Sequence, residues 1–209
     1  MKQYKLYLFD FDGTLFDSFG ALDYVFDSAF SAVGVQIDHD RVDVYSRRPL
    51  EETYAELNAP LDKLNIFIAE IIRALDDKRS IKATKTFHDT LDFLKYCKNH
   101  SIKIGIVTSN SVLHVKNILN YFNIPEDTFC VYVGSDMEKS TKPSPKPILK
   151  ALEILNYQDS LDDVIYVGDA ENDCLAGKNA NIDYILINRS NKPYLGPYRS
   201  IDSLLDLFK

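Results

Sequence analysis

The chain has 209 residues, of which 45% are hydrophobic, 12% aromatic and 26% charged; this is the length of one large domain with a modest insert, and the composition lies far from disordered or collagen-like chains. Its 24 basic and 31 acidic side chains leave a net charge of −7, which repels phosphodiester backbones and argues against a nucleic acid polymer or an anionic membrane as partner. No apolar run reaches the roughly 18 residues that a membrane span requires, so the protein is expected in the cytoplasm.

Residues 4–9 form a short apolar run rich in aromatics, which reads as a buried strand. The Asp-Gly of DFDGT breaks it and leaves Asp10 at its carboxyl end. Asp17 and Ser18 then offer an N-cap signal for a helix in which Leu22, Val25, Phe26, Ala29, Phe30 and Val33 recur at helical spacing until Gly34 stops them. Residues 50–57 and 64–75 are periodic in the same way, the latter placing Leu64, Phe67, Ile68, Ile71, Ile72 and Leu75 on one face. Residues 17–82 are therefore expected to be entirely helical.

Beyond that block helices and strands alternate. Helix is predicted near 88–98, strand over the apolar run 102–107, helix near 112–122 and strand near 129–133. A helix follows from about 145 to 155, with Ser144 as N-cap and Pro145 behind it. Then come a strand at 164–167, a helix at 171–179, a strand at 184–187, a surface loop at 188–199 containing Pro193, Gly196 and Pro197, and a final helix near 201–208. Such alternation means an α/β fold, a mostly parallel sheet with helices on both faces. The first strand belongs in the same sheet, because alone it cannot satisfy its backbone or bury its two apolar faces. The helical block is then an insertion.

Cys97, Cys130 and Cys174 are widely separated and read as reduced core thiols. His39, His88, His100 and His114 show no metal-binding spacing. In open sheets of this class ligands bind outside the carboxyl ends of the strands. Those ends are residues 10–14, 108–111, 134–142 and 168–173. Taken singly, each has the composition of a turn or a cap. Together they assemble carboxylates, a hydroxyl with helix-start amides, and one ammonium around a single crevice. Asp10, Asp12, Asp169 and Asp173 would crowd like charges unless some protonate or a hard cation neutralises them, and oxygen ligands without His or Cys favour Mg²⁺. Lys142 and the start of the helix after Thr108 suit the oxygens of an anion. An anion cradle, Mg²⁺ and a free carboxylate are equipment for phosphoryl transfer.

The segments DFDGTL (10–15), IGIVTSN (104–110), KPSP (142–145) and VGDAENDCLAG (167–177) resemble, in order and spacing, the motifs of the haloacid dehalogenase-like phosphohydrolases, and the resemblance covers essentially the whole chain. The branch it is most similar to, that of phosphoglycolate phosphatase-like and β-phosphoglucomutase-like members, has an inserted helical cap. The resemblance implies a Rossmann-like core of residues 1–16 and 83–209 with an all-helical cap at 17–82. It also implies a Mg²⁺-dependent phosphatase acting on a small phosphorylated metabolite: a phosphoglycolate-like ester, a sugar phosphate or a nucleotide monophosphate.

By the same resemblance Asp10 is the nucleophile that forms an aspartyl-phosphate, and Asp12 is the acid that protonates the leaving alcohol and then the base that activates water. Thr108 and the Ser109 amide would hold phosphate oxygens, with Asn110 in support, and Lys142 would neutralise nucleophile and phosphate. Asp169 would bind Mg²⁺ beside Asp10 and the backbone carbonyl of Asp12, and Asp173 would bind or steady the metal. The cap would close over the site and select the leaving group, with Arg47 and Arg48 of YSRRPLEE suited to a carboxylate or second phosphate.

Two positions depart from the family pattern. Asn181 stands where a glycine commonly follows the last motif's helix, and asparagine tolerates the left-handed conformation expected there. The stretch Lys85, Thr86, Phe87 lacks the Pro-Gly that often leads out of the cap. A phosphomutase of the same family is the alternative enzyme, but Thr14 and the GDxxxD pattern tilt toward hydrolysis. A receiver-like or other non-catalytic phosphate-binding protein is the alternative from another class, and a helical insert has no place in a compact receiver. The oligomeric state is left open, since no coiled-coil heptads are present.

Overall fold

In this computed structural model, which describes residues 2–46, 50–190 and 192–209, the first apolar run becomes strand β1 (Leu6–Phe9), buried at every position. A strand with no polar alternation has to be covered on both faces. Tyr7 and Phe9 pack into one core with Phe93, Ile106, Val115 and Leu119, while Leu6 and Leu8 pack into a second with Ile148, Ala151, Tyr166 and Ala176. The period of two thus divides four residues between the two sides of a central sheet.

The short strands β2 (Phe16–Asp17) and β3 (Lys85–Thr86) pair with each other. Between them run the helices α1 (Leu22–Val33), α2 (Val42–Ser46), α3 (Leu50–Glu56), α4 (Leu64–Leu75) and α5 (Lys78–Ala83). The rest of the chain alternates: α6 (Thr90–Asn99), β4 (Ile104–Val107), α7 (Val112–Tyr121), β5 (Tyr132–Val133), α8 (Lys146–Ile154), β6 (Val164–Gly168), α9 (Glu171–Asn179), β7 (Asp183–Ile187) and β8 (Ser200–Ile201). Among the described residues, six strands form one sheet in the order β5-β4-β1-β6-β7-β8, and every pairing in it is parallel. Leu8 sits opposite Gly105 on β4 and Tyr166 on β6. A Cβ at Gly105 would lie 2.4 Å from Val131 Cγ1 and 2.9 Å from Leu8 Cδ2, so only glycine lets the cover come this close.

The chain divides into two compact units, one of residues 1–17 and 86–209, the other Ser18–Lys85. The sequence reading set the inserted unit at 17–82; it runs further because α5 continues the helical block to Ala83. Its core is largely aromatic: the Phe30 ring lies 4.6 Å from Phe67, and Tyr54 lies 4.9 Å from Phe67, centroid to centroid.

Several local expectations need correction. Cys97 and Cys174 are core thiols, but Cys130 is exposed. Ser18 makes no side-chain cap; a 3-10 turn at Phe19–Ala21 intervenes and α1 begins at Leu22. Ile72 is 56% exposed, because the buried face of α4 follows Phe67, Ile71 and Ala74. Of the apolar stretch 129–133, Tyr132 and Val133 pair with β4. The end of the chain is not one helix: Ile201 pairs with Ile187 in β8, and a 3-10 helix over Leu204–Phe208 buries Leu204 and Leu207. Helix α8 starts at Lys146, whose amide points to Ser144 Oγ at 3.4 Å. Gly34 ends α1 with φ 85°, and Asn181 takes φ 56° as its left-handed tolerance predicts. Among the described residues no helix is long and apolar enough to cross a membrane.

Candidate active site

The strand order makes neighbours of the carboxyl ends of β5, β4, β1 and β6, so chain segments far apart in sequence converge. The ladder continues into the site: the Asp10 amide donates to Val167 O at 2.9 Å, and the Thr108 amide donates to Val133 O at 2.9 Å. These two bonds fix the residues that follow β1 and β4 as firmly as the strands themselves.

At the centre lies the Lys142 ammonium. It is 2.8 Å from Asp10 Oδ1 and 2.5 Å from Asp173 Oδ1, and its side chain is 9% exposed. It also donates to the Tyr166 hydroxyl at 3.3 Å, while that hydroxyl donates to Val107 O at 2.7 Å. Asp173 works on both sides, because its Oδ2 accepts the Ala170 amide at 3.0 Å and closes the first turn of α9.

Asp169, Asp173 and Asp10 each offer a carboxylate oxygen within 4.8 Å of the others. The Thr14 hydroxyl donates to Asp169 Oδ1 at 3.1 Å. Gly13 makes that approach possible: its φ is 75°, and a Cβ there would sit 2.5 Å from Asp169 Oδ2. The Asp12 carboxyl is set apart from this trio. Its Oδ2 accepts from Asn110 Nδ2 at 2.7 Å, and its Oδ1 is buried without a hydrogen-bond partner among the described residues.

Thr108 is buried, and its Oγ1 accepts the Asn110 amide at 3.1 Å. Ser109 is exposed just ahead of α7, and Ser111 caps that helix by accepting the His114 amide at 3.1 Å. Asn110, expected in support of the phosphate oxygens, donates its side-chain amide to Asp12 Oδ2. Arg47 and Arg48 lie outside the described residues.

The electrostatics follow from one ammonium among three carboxylates. Burial pushes the Asp10 carboxyl up, Lys142 draws it down, and repulsion from Asp173 and Asp169 helps leave it well above the ordinary carboxylate range. Burial and Asp173 raise Asp169 to about 6. Burial alone would lower Lys142, but Asp10 and Asp173 outweigh it and hold the ammonium well above its usual range. Lys142 therefore keeps its charge, and one ammonium cannot balance three ionised carboxylates. An all-oxygen set with uncompensated charge is what a metal ion neutralises, and the three carboxylates fit one.

Tyr166 is a contributor that the sequence does not single out: it looks like one more core residue of a buried strand, and its sole signal is a hydroxyl that needs a partner when buried. Thr14, which tilts the sequence toward hydrolysis, gains a bond to Asp169 that the sequence alone does not give.

Residues 7–187 match the family described as haloacid dehalogenase-like hydrolase. The chain belongs to this family. Among its haloacid dehalogenase-like relatives, the "Phosphoglycolate phosphatase" of Psychrobacter arcticus is 30% identical over 195 residues, covering 86% of this chain and 81% of the relative. The "Putative pyrophosphatase PpaX" of Caldanaerobacter subterraneus subsp. tengcongensis is 29% identical over 189 residues, covering 90% and 83%. The solved structure of the "Putative haloacid dehalogenase-like hydrolase" from Bacteroides fragilis superposes with a TM-score of 0.84 at 28% identity, covering 98% of this chain and 100% of that one.

Proposed function

We propose that this hydrolase is a Mg²⁺-dependent phosphatase that cleaves a small phosphorylated metabolite through an aspartyl-phosphate on Asp10. The observation that carries the reading is the pairing of two unlike carboxyls two residues apart: Asp10 held by Lys142 within the acidic trio, and Asp12 outside the trio with Oδ1 unengaged among the described residues. One is equipped to attack and the other to carry a proton. The names of the relatives, a phosphoglycolate phosphatase and a pyrophosphatase, support a small phosphate substrate.

An Asp10 oxygen attacks phosphorus and the bond to the leaving oxygen breaks, while Asp12 Oδ1 delivers its proton to that oxygen. Asp12, now ionised, takes a proton from water as the water oxygen attacks phosphorus. The Asp10–phosphorus bond breaks, and inorganic phosphate and the free carboxylate result. Thr108 Oγ1 and the amide of Ser109 bind the non-bridging oxygens, and Lys142 balances their charge. Asn110 keeps the Asp12 carboxyl oriented through Oδ2. Asp10, Asp169 and the Asp12 carbonyl would hold Mg²⁺, with Asp173 steadying the set, and the bound ion would supply positive charge to offset the negative charge developing on phosphorus oxygens.

Leaving-group selection is assigned to the helical unit, with Arg47 and Arg48 taking a second anionic group of the substrate. The test is phosphate release from an aryl phosphate and from a panel of phosphorylated metabolites, with Mg²⁺ and with EDTA. Turnover that needs Mg²⁺ and vanishes in a folded Asp10→Asn variant is the expected result. Wild-type-like turnover by that variant would overturn the nucleophile assignment. A fall in kcat/KM for doubly anionic substrates alone in Arg47→Ala/Arg48→Ala would support the arginine assignment.

A further inference from the structure

Beyond the strand tips already described, a second polar cluster is buried at the end of β7. Arg189, two residues past that strand, has a side chain only 8% exposed, paired with Asp89 at 2%. Its Nη1 donates to Asp89 Oδ1 at 2.8 Å, while its Nε and Nη2 both donate to the backbone carbonyl of Thr14, at 3.2 and 2.6 Å. The guanidinium also lies 4.1 Å from the centre of the Phe87 ring. Asp89 Oδ2 accepts the Ser203 hydroxyl at 2.9 Å and the Leu204 amide at 2.6 Å. Next to it, the Thr90 hydroxyl donates to Leu15 O at 2.7 Å.

Burying a guanidinium and a carboxylate is costly unless their hydrogen-bonding capacity is met. A fork closed in bidentate fashion on Asp89 would have satisfied both charges and tied down the chain's last turn by itself. The fork is divided instead, and two of its donors converge on one carbonyl, that of the residue whose hydroxyl holds Asp169 Oδ1. Thr14 is fully buried, so its carbonyl and hydroxyl are fixed as one rigid unit between Arg189 and Asp169.

We propose that Arg189 and Asp89 form a positioning pair for the metal site: they set the backbone of Thr14 and, through the Thr14 hydroxyl, the orientation of the Asp169 carboxylate. Neither residue touches substrate or metal. The inference rests on the reading of Asp169 as a metal carboxylate, and it adds to that reading a determinant on a strand end that the acidic cluster does not use. Partners that orient a ligand from outside typically change metal affinity by about 10- to 100-fold.

The test is calorimetric titration of the folded, full-length protein with Mg²⁺, without substrate. Asp89→Leu/Arg189→Met removes both charges together, so no buried charge is left unpaired. Arg189→Lys retains a cation beside Asp89 while losing the fork, and serves if the double variant does not fold. The expected result is about 10-fold weaker Mg²⁺ binding in either, a similar loss in Thr14→Val, and no further loss when Thr14→Val is combined with the Arg189 change. Unchanged affinity, or losses that multiply in the combined variant, would overturn the proposal. Asp169→Asn separates the two levels of argument. If it binds Mg²⁺ like the wild type, the metal reading itself fails; if it loses binding while the Arg189 variants keep theirs, the positioning pair alone is wrong.

Discussion

The Lys142 ammonium lies 2.8 Å from Asp10 Oδ1, with 9% and 11% of the two side chains exposed. Water contributes little to either charge there, so the Asp10 carboxylate depends chiefly on the ammonium, which Asp173 also holds while repelling Asp10. Lys142→Met should leave two carboxylates facing each other in a poorly hydrated space. Breaking a buried pair from one side costs on the order of 3–5 kcal/mol, and kcat/KM should fall by about 100-fold or more as the phosphate loses its counter-charge. Urea unfolding and steady-state kinetics on the same preparation check both. Lys142→Arg should rescue stability better than rate, because a planar fork does not reproduce a point charge between two carboxylates.

The raised Asp169 carboxyl predicts an unusual pH response in metal-free protein. Its ordinary value is 3.8 and burial with Asp173 brings it to about 6 in the fold. Between those values the folded state holds more protons than the unfolded chain, so this group's contribution to stability declines as pH rises from about 4 to about 6. Other carboxyls titrate in the same range, and comparison with Asp169→Asn removes them. With EDTA present, the stability of wild type relative to the variant should fall over that window. With saturating Mg²⁺ the trend should reverse, since a cation favours the ionised carboxylate and binds the folded state. Thermal melts at matched pH check this, and identical curves for the two proteins would sink it.

Asp12 is predicted to matter in proportion to how badly the leaving group needs a proton. Asp12→Asn should lower kcat/KM for alkyl phosphates by about 10²- to 10⁴-fold, the usual contribution of general acid–base catalysis. For an aryl phosphate with an acidic phenol, the first step should survive better than the second, so the phosphorylated enzyme should accumulate. Acid quenching and trapping with hydroxylamine measure it. Asn110→Ala frees Asp12 Oδ2, 2.7 Å away from the lost amide, and should show the same pattern in weaker form.

What the sequence revealed and what it hid have physical causes. Short apolar runs ended by Asp-Gly, Thr-Ser or Gly-Asp are legible because a parallel strand buried on both faces leaves its polar residues to its tips, and those tips carry Asp10, Thr108 and Asp169. Residues whose identity and environment disagree were illegible. Tyr166 lies inside an apolar strand yet makes polar bonds to Lys142 and Val107. Arg189 opens a loop whose proline and glycine content reads as solvent-facing, yet its side chain is buried against Asp89 and Thr14. Ile201 was read with the apolar residues after it, and the neighbouring strand rather than local periodicity draws it into β8. Arg189 stands two residues beyond β7, at a strand end that the expected site positions do not include.

Tyr166 offers a way to separate positioning of Lys142 from its charge. Its hydroxyl accepts from Lys142 at 3.3 Å and donates to Val107 O at 2.7 Å, so it ties the ammonium to the frame of β4. Tyr166→Phe keeps the ring in the core with Leu8 and Ile148 and removes this tie together with the hydroxyl's 3.5 Å contact to Asp173 Oδ1. Loss of the bonds, with the Val107 carbonyl left unpaired, should cost about 1–3 kcal/mol of stability. Since the Lys142 contacts to Asp10 and Asp173 persist, the charge stays in place but less narrowly confined. The expected outcome is a fall in kcat of about 10-fold with KM little changed, because confinement counts most in the transition state. If Tyr166→Phe loses stability but keeps wild-type kcat, the hydroxyl is only a structural tie between β6 and β4, and Lys142 is held in place by its two carboxylates alone.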